Sequence, residues 1–218
     1  MSPIDRPSLR LITSGKPLAE AAKALVLIHG RGATAEDILA ISESLSVDDF
    51  ALLAPQAANG AWYPVSFLSP PQQNEPWLSF SLNALNDILK DLNHRGISSE
   101  RTFLLGFSQG ACLVLEFAAR NAQPFGGVIA FTGALIGDKL YPERYKGDFQ
   151  QTRIFIGTSD PDPHVPPERV KASAELLRQM NAKVTVKVYR NMGHRVNDDE
   201  IAEANAILAG RRDRASSG

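Results

Sequence analysis

The chain has little cysteine. Its single residue, Cys112, cannot close an internal disulfide, so nothing implies oxidative export. It has no apolar run approaching the ~18 residues of a membrane span. Its first residues, MSPIDRPSLRLITSGKP, lack the apolar stretch of a signal peptide, and the expected location is cytoplasmic. It has no excess of charge either: the net value of -1 gives a polyanion no footing and argues against a nucleic-acid partner. Repeats and low-complexity tracts are absent. A short basic stretch (Arg211, Arg212 and Arg214) closes the sequence, and 211–218 is expected to be a flexible, solvated tail.

What is present is an alternation. The 218 residues suit one domain, 1–218, large enough to bury a substantial core. Short continuous apolar runs at 24–28, 50–54, 102–105, 128–131, 154–156 and 184–189 read as strands. Helical patterns fill 35–45 (with Thr34 as N-cap), 78–92, 109–120, 169–180 and 198–209. Apolar strands alternating with helices predict an α/β fold, a mostly parallel central sheet with helices on both faces. Residues 9–13 are expected to add an antiparallel edge strand. In such sheets ligands bind outside the carboxyl ends of the strands. One connection, 57–77, follows such an end. It is rich in proline, holds both tryptophans, and lacks helical or strand period. Loops of that length are often lids or binding loops, and its aromatic residues are costly to leave in water.

The sharpest motif is Gly106-Phe107-Ser108-Gln109-Gly110, between the strand TFLL and the helix ACLVLEFAAR. A serine on a tight strand-to-helix turn, flanked by glycines that remove colliding Cβ atoms, is the nucleophile elbow of the α/β-hydrolase fold. The helix start behind Ser108 adds positive potential where an oxyanion develops. A serine hydroxyl needs a base, and chain order in this fold runs Ser, acid, His. Of four histidines, His194 satisfies that order, just past the last strand. The acid is expected after RIFI, in Gly157-Thr158-Ser159-Asp160-Pro161-Asp162-Pro163-His164, where Asp160 and Asp162 are both candidates. Adjacent loop carboxylates are usually turn-forming, so no metal is expected there, nor any cofactor. The oxyanion hole requires two backbone N–H groups, expected from Gln109 and Arg31.

HGRGATAED, GFSQGA, the Asp-Pro-x-Val-Pro loop and the late Gly-His together resemble the phospholipase/carboxylesterase family, which includes bacterial carboxylesterases and acyl-protein thioesterases. The resemblance runs from about residue 25 to 194 and implies a Ser–Asp–His triad on Ser108 and His194. The family spacing around the acid is offset here by two residues. Counting forward from Gly157 selects Asp160; counting back from Val165-Pro166 selects Asp162. Asp162 is preferred because its loop leads directly into the helix that fixes it, with Asp160 as the alternative. His29 is read as a support for the oxyanion loop and, with Trp62, Tyr63 and Phe67, as substrate-binding. The stretch starting at Trp62 departs from the thioesterase members. The expected substrate is a small-molecule ester of short to medium acyl chain, with lysophospholipase or acyl thioesterase chemistry as alternatives, in a monomer or homodimer without a membrane span.

Two other classes compete. Gly30-x-Gly32-x-x-Ala35 matches a dinucleotide-binding fingerprint, but the next strand ends in Ala54-Pro55-Gln56 without the acid that motif requires. A non-catalytic module on the same fold would show a broken triad, and this one is intact.

Overall fold

The computed structural model describes residues 10–210. Seven strands form one sheet: β1 (Arg10–Gly15), β2 (Lys23–Ile28), β3 (Phe50–Gln56), β4 (Thr102–Phe107), β5 (Gly127–Phe131), β6 (Arg153–Asp160) and β7 (Lys183–Arg190). Their spatial order is β1-β3-β2-β4-β5-β6-β7. All neighbours are parallel except β1, which lies antiparallel on β3. The helices are α1 (Ala35–Ala40), α2 (Trp77–His94), α3 (Gln109–Arg120), α4 (Pro167–Gln179) and α5 (Asp198–Leu208).

The apolar runs are continuous because both sheet faces are covered. Along β2, Ala24, Val26 and Ile28 join the core beneath α2, α3 and α4. Leu25 and Leu27 point the other way, into the core beneath α1 and α5. This period of two is what a strand dictates. Register then gathers the strand ends. Ile28 pairs with Gly106, Phe107 with Phe131, and Phe131 with Gly157. The loops after β2, β4 and β6 therefore leave the sheet side by side.

The expected helix over 35–45 is shorter than its pattern. It ends at Ala40 and tightens into a 3₁₀ turn, Ile41–Ser44, where the Ser42 hydroxyl donates to the Leu39 carbonyl. Such side-chain bonds compete with helix propagation. Thr34 does cap α1, in a reciprocal box with Asp37. β6 runs on to Asp160, beyond the expected 156, because its ladder with β7 continues to the Asp160–Arg190 pair. The edge strand lies at Arg10–Gly15; residue 9 and the tail 211–218 lie outside the described residues.

Glu200 in α5 is fully buried against β6. Its Oε2 accepts the Asn197 N–H in a second capping box, and its Oε1 has no partner among the described residues. A Cβ on Gly157 would stand 1.9 Å from Oε1, so only glycine leaves room for the carboxyl. Burial, partly offset by the Asn197 N–H, pushes the Glu200 pKa up from 4.5 to about 7. The folded chain therefore holds a proton that the unfolded chain releases. Stability is greatest below the unfolded pKa and falls as pH rises through about 7, by roughly 3 kcal/mol. Glu200→Gln keeps the cap acceptor and removes the titration. Chemical denaturation from pH 4.5 to 8 should show a smaller decline for the variant than for wild type; equal slopes would refute this role.

Candidate active site

Between β4 and α3 the backbone turns through Ser108 at φ 54, ψ -118, a conformation costing a non-glycine residue on the order of 1–3 kcal/mol. The flanking glycines make the turn feasible. A Cβ on Gly106 would lie 2.4 Å from the Gly110 carbonyl carbon, and one on Gly110 would lie 2.1 Å from the Ile28 oxygen. The Ser108 N–H donates to the Phe131 carbonyl at 2.9 Å, tying the turn to β5.

His194 arrives from the loop after β7. Its Nδ1 lies 3.0 Å from Asp162 Oδ2 and its Nε2 lies 2.8 Å from Ser108 Oγ. With Nδ1–H donated to the carboxylate, Nε2 accepts from the hydroxyl. The Gly193 N–H donates to Ser159 Oγ at 3.0 Å, anchoring the histidine loop on β6. Asp162 Oδ1 accepts the His164 and Val165 N–H groups, each at 2.8 Å. Burial of the carboxyl opposes its ionisation. The bonds from His194, His164 and Val165 outweigh burial and hold its pKa below the ordinary range. Of the two candidate acids, Asp162 meets His194. Asp160 ends β6 opposite Arg190, and its carbonyl accepts the Asn191 N–H at 3.0 Å. Asp160 is exposed at that strand end, and among the described residues no hydrogen bond joins its carboxylate to His194.

The loop after β2 lies alongside. A Cβ on Gly30 would stand 3.4 Å from Ser108 Cβ. Among the described residues, neither the Arg31 nor the Gln109 N–H has a hydrogen-bond partner. Gln109 opens α3, so its N–H adds to the positive end of a 12-residue helix. The glycine pattern of this loop does not prepare a dinucleotide site. α1 is only 6 residues long, and its Ala35 and Asp37 N–H groups are taken by Gln56 Oε1 and by Thr34 Oγ1.

Ser108 and His194 border a cavity of about 590 Å³, whose walls include Tyr63, Phe67, Leu68 and Val165. Tyr63 and Phe67 thus stand where a substrate contact is expected. His29 and Trp62 do not, which corrects their reading as substrate-binding. His29 is fully buried. Its Nε2 accepts the Ala57 N–H at 3.1 Å, so its Nδ1–H donates to the Gly30 carbonyl at 2.7 Å. Burial, stronger than the Gly30 bond, lowers its pKa and keeps it a neutral brace. Trp62 is 1% exposed, donates Nε1–H to the His29 carbonyl at 2.8 Å, and packs on the His29 ring. Both residues are buried away from this cavity, and Trp62 borders a second one beside Trp77 and Phe80. Trp77, expected to need shelter, starts α2 and is 52% exposed.

Cys112 is buried and also touches the cavity. Burial pushes its pKa up to about 12, so it stays a thiol. The 57–77 connection, lacking any sequence period, holds two 3₁₀ turns, Ala58–Gly60 and Pro71–Asn74. Its buried organiser is Asn74, whose Oδ1 accepts the Val65 N–H and whose Nδ2 donates to the Ser66 carbonyl. A polar residue inside Pro-Gln-Gln-Asn-Glu-Pro carries no pattern that signals this. Among the described residues no cluster of His, Cys, Asp and Glu is placed to hold a metal.

Comparison with known proteins adds a family. The profile of the phospholipase/carboxylesterase family matches residues 12–210. A crystal structure of a phospholipase/carboxylesterase from Dyadobacter fermentans is 48% identical, covers 93% of this chain and 97% of its own, and superposes with a TM-score of 0.91. Acyl-protein thioesterase 1 of Debaryomyces hansenii is 26% identical over 91% of this chain and 94% of its own length. The same-named protein of Gibberella zeae is 31% identical, with 57% of its length aligned to 60% of this chain.

The corrected place of Trp62 has a measurable consequence. Trp62→Ala opens a cavity in the packed core and strands the His29 carbonyl. It should cost about 3–5 kcal/mol of folding stability, seen as a lowered denaturation midpoint. A folded variant of wild-type stability would return Trp62 to the substrate wall.

Proposed function

The chain belongs to the phospholipase/carboxylesterase family, and on that premise we propose that it is a serine hydrolase cleaving carboxylic esters of short to medium acyl chain through an acyl-Ser108 intermediate. The observation that carries this is the continuous relay from Asp162 through His194 to Ser108, at 3.0 and 2.8 Å, opening on one cavity.

His194 Nε2 takes the hydroxyl proton as Ser108 Oγ attacks the carbonyl carbon. Asp162 keeps the imidazole in the required tautomer and stabilises the imidazolium that forms. The Arg31 and Gln109 N–H groups receive the developing oxyanion, each contributing ~3 kcal/mol to the transition state. Collapse expels the alcohol, which takes the proton from His194. Water, deprotonated by His194, then attacks the acyl-enzyme and releases the acid. Every group these steps use belongs to the chain.

The cavity of about 590 Å³, walled by Phe67, Leu68 and Val165, supports an apolar acyl group of limited length. A second reading, hydrolysis of acyl thioesters, is favoured by the name of the Debaryomyces hansenii relative and uses the same groups. Among the described residues no helix is long and apolar enough to cross a membrane. A small ester met in the cytoplasm fits this reading.

p-Nitrophenyl esters from acetyl to palmitoyl, assayed with wild type and Ser108→Ala, test the reaction. Turnover should peak at short or medium chains and vanish in the variant. Folded wild type that neither turns over any member nor reacts with a fluorophosphonate would rule the reading out. Asp162→Asn should lower kcat by about 10⁴-fold through the wrong imidazole tautomer, whereas Asp160→Asn should stay within about twofold of wild type. The opposite ranking would transfer the acid role to Asp160.

A further inference from the structure

The two residues assigned to the oxyanion hole use their backbone N–H groups for that role. Their side chains are engaged elsewhere, and together they reach four successive residues, 62–65. The Arg31 guanidinium donates to three successive carbonyls, with Nη2 on Tyr63 O at 2.8 Å and Val65 O at 3.0 Å and Nη1 on Pro64 O at 3.0 Å. The Gln109 carboxamide accepts the Trp62 N–H at 2.9 Å and donates to Tyr63 O at 2.8 Å. Tyr63 O therefore receives one bond from each. A backbone bond from Gly32 N–H to Gly60 O, 2.8 Å, closes the same seam, where a Cβ on Gly60 would come within 3.4 Å of Gly32 Cα.

The same segment borders the substrate space. Tyr63, Val65 and Phe67 line the cavity beside Ser108. The segment is thus held by the side chains of Arg31 and Gln109, which border the same cavity and whose N–H groups are assigned to the reacting carbonyl. Arg31 suits the task because its planar fork presents parallel donors to carbonyls in a row. An ammonium has one centre and does not span three. Gln109 suits it because one amide both donates and accepts, matching the alternating N–H and carbonyl of an extended backbone.

We propose that the Arg31 guanidinium and the Gln109 carboxamide are positioning groups that couple the segment 62–67, which carries the acyl-pocket wall at Tyr63, Val65 and Phe67, to the oxyanion donors. This deepens the esterase reading and rests on it. An acyl chain that fits leaves the wall, and hence both N–H groups, in place. One that pushes Tyr63 or Phe67 outward pulls on the same side chains and shifts the donors from the oxyanion position. Misfit is then read in turnover and not only in binding, since the interaction lost is one made in the transition state.

The test is Arg31→Met, which keeps the backbone donor and the side-chain length but removes the fork. On the preferred ester, kcat should fall roughly 10- to 100-fold while KM stays within about threefold. The drop should shrink for longer chains, flattening the acyl-length profile. Arg31→Lys should recover only part of kcat. Affinity for a boronic acid, which forms a tetrahedral adduct on Ser108, should fall in step with kcat across both variants. Arg31→Met and Gln109→Met together should lose less than the product of their separate losses, because both act through one wall. An unchanged kcat in Arg31→Met, or a loss equal at every chain length, overturns the coupling. If Arg31→Met does not fold, a wild-type acyl-length profile in Arg31→Lys overturns it equally. Ester hydrolysis surviving in Ser108→Ala would instead sink the acyl-Ser108 mechanism on which the coupling rests, whereas an inactive Ser108→Ala beside a normal Arg31→Met sinks the coupling alone.

Discussion

Gly110 passes so close to β2 that a Cβ there would stand 2.1 Å from the Ile28 carbonyl oxygen. That approach sets the position of α3, and with it much of the site. It forces the sharp reversal at Ser108, whose N–H is held by Phe131. It brings the end of β4 level with the end of β2, so the His29–Gly32 loop lies against the serine. The strain at Ser108 survives because strands on either side of β4 and the buried helix behind it fix the backbone at both ends. A strained, over-determined turn holds its hydroxyl in one direction, which a nucleophile needs and a relaxed loop does not give.

From that fixed point the site grows outward through backbone groups. The wall at 62–67 is gripped through carbonyls and N–H groups, by Arg31, Gln109, Asn74 and the Ser81 hydroxyl on Trp62 O. Its side chains are left free for the cavity on one side and the core on the other. This division explains how a segment without periodic secondary structure satisfies its buried polar backbone. It also separates two kinds of aromatic residue in one loop: Trp62 packs inward against His29, while Tyr63 and Phe67 line the cavity.

Residues whose roles are local were legible in the sequence. Gly106-x-Ser108-x-Gly110 between an apolar strand and an apolar helix states its own geometry, and the strand alternation follows from two buried sheet faces. His194 was legible through chain order. The choice between Asp160 and Asp162 was legible only as a preference for Asp162 from the helix its loop enters, because two carboxylates two residues apart in one loop differ chiefly in what surrounds them. Asp160 is taken up by the end of a ladder, whereas Asp162 sits where two N–H groups converge. Trp62 shows a related limit. Sequence argues that a tryptophan leaves water, but not whether it enters a core or a substrate cavity. Trp77, exposed at a helix start, shows that even the first half of that argument is a tendency. The side-chain work of Arg31 and Gln109 was invisible for a different reason: backbone carbonyls, which every residue carries, are their targets.

Two buried carboxyls show what distinguishes the proposed catalytic acid from a structural one. Asp162 and Glu200 both lose water, and for both the loss of hydration favours the proton. Asp162 receives two backbone N–H groups and an imidazole, and its pKa falls below the ordinary range. Glu200 receives one N–H, leaves an oxygen unpaired, and rises to about 7. Burial is common to both, so the number of donors decides the charge. An anion that must steady an imidazolium has to stay ionised while the imidazole changes state. Only the aspartate is built for that. The convergence of donors, together with contact with His194, therefore supports the proposal of Asp162 as the acid.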